Sequence, residues 1–115
     1  MIPTEGPKLV ELVRAVERWA ALRTAARWEK SLAQALEQAG VPVFLPLLTR
    51  WTSSQGRRRE SLVPLFSGYL FVSEPDFLGN PRVLAVTRRK VAQVLRPPDP
   101  RRLHAELLDL ARLLS

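Results

Sequence analysis

The sequence predicts an α+β fold, an antiparallel sheet flanked by helices. Three observations carry that reading: apolar stripes at helical spacing, interleaved runs rich in β-branched and aromatic residues, and a turn signal, Ser53-Ser54-Gln55-Gly56, between two of those runs. Along the chain the elements run helix, strand, helix, strand, strand, short helix, strand, helix. The central part has the form of a split β-α-β-β-α-β unit. A length of 115 residues fits one domain able to bury a modest core, and there is no internal repeat.

The first helix opens at Gly6-Pro7, where proline suits a first helical position, and carries Leu9, Leu12, Val13 and Val16 on one stripe. Trp19-Ala20-Ala21-Leu22-Arg23 either continues that helix or begins a strand; pattern alone favours helix, because alanine is a poor strand former. From Thr24, an N-cap residue type, a helix runs to Gln38 with Trp28, Leu32, Leu36 and Ala39 on one stripe, and Gly40 and Pro42 stop it. Residues 43–52 read as a strand in which Pro46 requires an edge or a bulge. After the turn and Arg57-Arg58-Arg59, a return strand spans 61–73. Within it Tyr69-Leu70-Phe71-Val72 is apolar on both faces, as in a central strand covered on both sides. Asn80-Pro81 caps and begins a short helix to about Val86, and 91–95 is a further strand. Asp99-Pro100 repeats the cap-plus-proline signal before a closing helix striped by Leu103, Leu107, Leu110 and Leu114.

The formal net charge is +7, and all the basic residues except Lys8, Lys30 and Lys90 are arginine. Arginine binds phosphate bidentately and stacks on bases, so a polyanionic partner is one reading and the arginine bias of a GC-rich genome is the other. Catalytic chemistry is not advertised. His104 is the sole histidine and there is no cysteine, which excludes a disulfide framework and a thiolate or histidine metal site. The serines at 53, 54, 61, 67, 73 and 115 have no base partner and no nucleophile-elbow motif. The five glycines stand singly, without a phosphate-binding pattern. Neither an enzyme nor a cofactor is expected. The opening Met1–Gly6 lacks the basic and apolar regions of a leader. The apolar stretch at 41–48 contains two prolines and is far short of a membrane span, so the chain reads as a soluble, cytoplasmic protein without a membrane partner.

The most specific segment is Pro64-Leu65-Phe66-Ser67-Gly68-Tyr69-Leu70-Phe71-Val72. It resembles the strand motif of the amino-terminal domain of NusG-type transcription elongation factors, including the RfaH-like members. Three further segments fall in the family's order: a tryptophan-led stretch at 19–24, Arg27-Trp28-Glu29-Lys30 at a helix start, and Val43-Phe44-Leu45-Pro46-Leu47 after Gly40. The resemblance makes 19–23 a strand and implies a four-stranded antiparallel sheet. It divides the chain into an N-terminal helical extension at 1–18, the NusG-like domain at 19–97, and a linker and helix at 98–115, with the family's KOW domain absent from these residues. At Thr87-Arg88-Arg89-Lys90-Val91 the chain departs from the family, having one more residue and no glycine, so the family's local turn does not carry over.

The resemblance also implies function. Members bind the clamp helices of RNA polymerase and reach across the DNA cleft to the opposite lobe, keeping the clamp closed and elongation processive. Carried over by position, the clamp contact falls on Pro64, Phe66, Tyr69 and Phe71, and the opposite-lobe contact on Asn80 and Arg82. Contact with upstream or non-template DNA falls on Arg23, Arg27, Lys30, Arg57, Arg58 and Arg59. A monomer is expected. Each assignment has a plainer counterpart: Tyr69 and Phe71 as core aromatics, Asn80 as a helix cap, the arginines as a solvated face. A second function class is also open, since Gly68-Tyr69-Leu70-Phe71-Val72 partly matches the stacking strand of RNA-recognition domains. It fails that pattern at Ser67 and Leu70. A protein–protein adaptor is the third reading.

Overall fold

In the computed structural model residues 7–115 are described; Met1–Gly6, with the segment compared to a leader and the glycine of the first helix signal, lie outside them. The elements are α1 (Pro7–Ala15), β1 (Trp19–Arg23), α2 (Glu29–Gln38), β2 (Val43–Phe44), β3 (Leu47–Ser54), β4 (Arg57–Pro64), β5 (Tyr69–Ser73), α3 (Glu74–Leu78), α4 (Pro81–Thr87), β6 (Gln93–Leu95) and α5 (Pro100–Leu114). Four strands form one antiparallel sheet in the order β2-β5-β1-β6, and β3 pairs only with β4 in a separate ribbon. The fold is therefore the expected α+β arrangement of sheet and helices. Trp19–Arg23 is a strand, with Trp19 opposite Ser73 and Arg23 opposite Tyr69; burial between two neighbours overrides the weak strand propensity of its alanines.

Strand alternation divides the sheet into two apolar faces. Ala20, Leu22, Val43, Leu70 and Val72 point to a core closed by Leu32, Ala33 and Leu36 of α2, Phe77 of α3 and Val83 of α4. Trp19, Phe44 and Phe71 point the other way, into a second cluster with Leu9 and Val13 of α1 and Leu107 and Ala111 of α5. The two terminal helices thus cover the face opposite α2. His104 Nε2 lies 2.9 Å from the Val13 carbonyl oxygen, so the sole histidine reaches one of the carbonyls left unpaired at the end of α1.

The two long strands read from sequence are each cut in two. Pro46 has no N–H to give a ladder, so pairing in the sheet stops at Phe44; its carbonyl accepts instead from Leu65 N–H at 2.8 Å. On the return, Phe66–Tyr69 forms a turn closed by Tyr69 N–H to the Phe66 carbonyl at 3.1 Å. Gly68 occupies its third position at φ +82°, where glycine alone avoids steric cost. Between these breaks the chain leaves the sheet as the β3–β4 ribbon. The ribbon closes on Gln55-Gly56, both with positive φ, as in a type I′ turn. Arg57–Arg59 are therefore paired within β4 and do not precede the return strand as the sequence suggested.

Gly68 is the knot between ribbon, sheet and α2. Its carbonyl accepts from Thr24 N–H at 2.8 Å, and its own N–H donates to the buried Glu29 carboxylate at 2.8 Å. A Cβ there would stand 3.0 Å from the Thr24 carbonyl oxygen. This knot explains where α2 begins. Thr24 is held against Gly68 and cannot cap; its hydroxyl has no hydrogen-bond partner among the described residues. Arg27 turns the chain at φ +76°, and the helix starts at Glu29 after Trp28, which provides no side-chain cap. Trp28, expected on the inward stripe, is consequently 47% exposed, whereas Leu32 and Leu36 are buried as expected. The C-terminus closes as a Schellman motif, Val41 N–H to Leu36 and Gly40 N–H to Glu37, both at 3.0 Å.

One helix was not read from sequence. Glu74–Leu78 follows β5 directly, with Ser73 before it, Pro75 in its first turn and the Ser73 hydroxyl donating to Asp76. Glu74 is buried and its Oε1 accepts from Arg96 at 2.8 Å, tying this helix to the segment after β6. That hydrogen bond first, and the carboxylate charge second, hold the Arg96 guanidinium above its ordinary value. The glycine-free turn at 88–90 has a simple resolution. Lys90 and Val91 N–H both return to the Thr87 carbonyl, and Arg88 is right-handed, so no glycine is needed.

Substitutions at two positions test the knot. Glu29→Leu leaves the Gly68 N–H buried without its acceptor and is expected to cost about 1–3 kcal/mol in urea unfolding, with Glu29→Gln milder because an amide oxygen still accepts. Gly68→Ala forces an alanine into the left-handed region for about 1–2 kcal/mol before any crowding. Wild-type midpoints for both Glu29→Leu and Gly68→Ala would show that the knot does not hold the fold.

Candidate functional site

Four rings form a seam across the sheet face that the terminal helices cover. Trp19 and Phe44 meet edge to face at 6.4 Å, Phe44 and Phe71 lie tilted at 6.3 Å, and Phe71 meets Phe66 edge to face at 6.2 Å. Aromatic pairs of this geometry add to the value of their burial. The seam runs from the fully buried Trp19 to Phe66, which is 43% exposed. Phe66 stands outside because it precedes the turn that Glu29 and Thr24 pin through Gly68.

Of the residues expected at the clamp contact, the structure brings all four to the end of the seam where the ribbon returns. Phe66 is exposed, whereas Pro64, Tyr69 and Phe71 are half-buried. Phe71 packs with the α1 and α5 cluster, as the core-aromatic reading expects, and its ring also supports Phe66. Tyr69 lies beyond the covered half of the face, opposite the exposed Arg23.

Asn80 and Arg82 sit together at the start of α4. The Asn80 side chain accepts from Arg82 N–H at 3.0 Å, a helix cap that leaves the exposed Arg82 side chain free to reach outward. The expected DNA residues divide into two groups. Arg23, Arg27 and Lys30 surround the knot and are exposed. Lys30 Nζ donates to the Leu62 carbonyl at the foot of the ribbon. Arg57, Arg58 and Arg59 lie on the ribbon, whose residues 48–62 are all exposed. Sequence reading passed over Arg50 and Trp51, which join them there; the signal was available in strand alternation once the register is known. Among the described residues no group of histidine and acidic side chains is arranged to hold a metal ion. No described helix is long and apolar enough to cross a membrane.

The structure thus combines a split β-α-β-β-α-β sheet, an aromatic seam on one of its faces and a projecting basic ribbon. Residues 17–97 match the family model described as transcription termination factor nusG, and the chain belongs to that family. No curated protein matches it. Membership places the chain among transcription factors that act with RNA polymerase, in the control of termination and elongation.

Position along the seam sets the cost of truncation. Phe44→Ala is expected to lose about 3–5 kcal/mol in thermal or urea unfolding, and Phe66→Ala less than about 1 kcal/mol. Equal losses would place Phe66 in the core and remove it as a surface residue.

Proposed function

We propose that this domain docks on the clamp helices of RNA polymerase through the exposed end of the seam. It reaches across the DNA cleft, so that the clamp stays closed and elongation is processive. The observation that carries the reading is Phe66, a large aromatic left 43% exposed beside half-buried Tyr69 and Pro64, while the chain around it is fixed by buried hydrogen bonds. An aromatic held rigidly at the surface is the form that binding anchors take. Phe71 supports it from below. On the same reading Asn80 and Arg82 meet the opposite lobe, and Arg23, Arg27, Lys30 and Arg57–Arg59 face upstream or non-template DNA. Residues 19–97 are then the polymerase-facing domain, helical at both flanks, acting as a cytoplasmic monomer without cofactor or catalysis.

The RNA-recognition reading loses its main support. It requires Tyr69 and Phe71 on an open sheet, whereas Phe71 packs among side chains of α1 and α5.

Titration of core RNA polymerase tests the docking. Phe66→Ala is expected to weaken binding by about 2 kcal/mol, roughly 30-fold, while losing less than about 1 kcal/mol of stability and so remaining folded at the temperature of the titration. A wild-type chain that fails to bind while a known NusG binds in parallel, or a Phe66→Ala variant with full affinity, would defeat the proposal. Replacing Arg57, Arg58 and Arg59 together by glutamine should weaken binding to a complete elongation complex and lower its salt slope, yet leave binding to isolated clamp helices intact. An unaltered slope assigns those arginines to solvent.

A further inference from the structure

The ribbon carries a residue that polymerase docking leaves unused. Cross-strand partners point to one face and successive pairs alternate, so the register sorts the side chains. Arg50, Arg57 and Arg59 share one face with the hydroxyls of Thr52, Ser54 and Ser61. That face holds no carboxylate, and none of the three arginines has an ion-pair partner among the described residues. Trp51, Arg58 and Glu60 share the other face, and Glu60 is the sole acid between 47 and 64. The Arg58 guanidinium carbon stands 4.4 Å from the Trp51 ring centroid, and Trp51 is 53% exposed.

Nothing in the fold calls for an indole at that position. The ribbon residues around it are exposed on both faces, so the ring supports no core. Arg58 holds the ring from one side by a cation–π contact, which leaves a flat, oriented surface for a second π system. Nucleobases offer such a system, but only when unpaired, because a duplex keeps its base faces stacked against one another. Glu60 repels phosphate from the tryptophan face, and the opposite face offers guanidinium and hydroxyl donors without an acid among them. Paired strands lie about 4.8 Å apart, narrow enough for the backbone beside a stacked base to pass round the edge to the arginines.

We infer that the β3–β4 ribbon binds single-stranded nucleic acid, with one unpaired base stacked on the Trp51–Arg58 pair and the flanking phosphates on Arg50, Arg57 and Arg59. The inference rests on the ribbon facing nucleic acid in the proposed function and is independent of polymerase docking. Base stacking serves DNA and RNA alike.

Anisotropy titrations of the whole chain with labelled dT20, rU20 and a 20-base-pair duplex, in the absence of polymerase, test it. The single strands are expected to bind more tightly than the duplex. Trp51→Leu keeps apolar bulk but no stacking surface; it should lose roughly 5- to 150-fold for single strands, leave the duplex unchanged and melt as the wild type does. Trp51→Phe should recover most of the loss. Replacing Arg50, Arg57 and Arg59 by glutamine should lower the single-strand salt slope by about 2, from three phosphates at about 0.7 each. Full affinity in Trp51→Leu, an equal loss on duplex and single strand, or no binding of either single strand overturns the inference, whatever the polymerase titration returns. A difference between dT20 and rU20 identifies which nucleic acid the arm takes.

Discussion

The arrangement turns on the two hydrogen bonds that hold Gly68. In one its carbonyl accepts from the Thr24 N–H and in the other its N–H donates to the buried carboxylate of Glu29, so a single residue joins the end of β1, the start of α2 and the point where the chain re-enters the sheet. Burying a carboxylate is costly unless it is hydrogen-bonded, and Glu29 spends its acceptor on a backbone N–H that would itself be buried unpaired. The contact therefore satisfies two groups at once. Its geometry also disfavours a side chain at position 68, because φ is +82° and a Cβ would stand 3.0 Å from the Thr24 carbonyl oxygen.

From that constraint the division of the molecule follows. The chain between Leu47 and Pro64 is excluded from the sheet at both ends, by Pro46 on the way out and by the Gly68 turn on the way back, and pairs with itself. Two-stranded ribbons are marginal alone in water. This one is anchored at its foot by Leu65 to Pro46 and by Lys30 to Leu62. Fastened there and free beyond, it carries arginines away from the core to where a polyanion can meet them. The same turn leaves Phe66 at the surface, resting on Phe71, so the exposed aromatic and the basic arm share one origin.

The terminal helices complete the sheet on its other side. Trp19, Phe44 and part of Phe71 would be exposed without α1 and α5, which bury them with Leu9, Val13, Leu107 and Ala111. The covering stops short of Tyr69 and Arg23, and this boundary separates core aromatics from surface ones within a single seam of contacting rings.

Local pattern in the sequence determined much of this. The apolar stripes of the first, second and closing helices, the Asn80-Pro81 and Asp99-Pro100 starts, the hairpin turn and the both-sided apolarity of Tyr69–Val72 each depend on neighbours three or four residues away, and, Trp28 apart, they are present in the structure. The motif at 64–72 pointed to the NusG family, which the match over 17–97 bears out. Short helix α3 has its signals too, in Ser73, Pro75 and Asp76, but at five residues it is too short to show an apolar stripe. What sequence left undecided depends on distant partners. Alanine-rich Trp19–Arg23 became a strand because β5 and β6 flank it. Thr24 lost its capping role to Gly68, 44 positions on, and Trp28 left the core as a result. Only the cross-strand register could show that Trp51 and Arg58 meet while Arg50, Arg57 and Arg59 face the other way. Hydrophobic period and capping are properties of a few consecutive residues; which surface a side chain finally joins is set by the segments that fold against it.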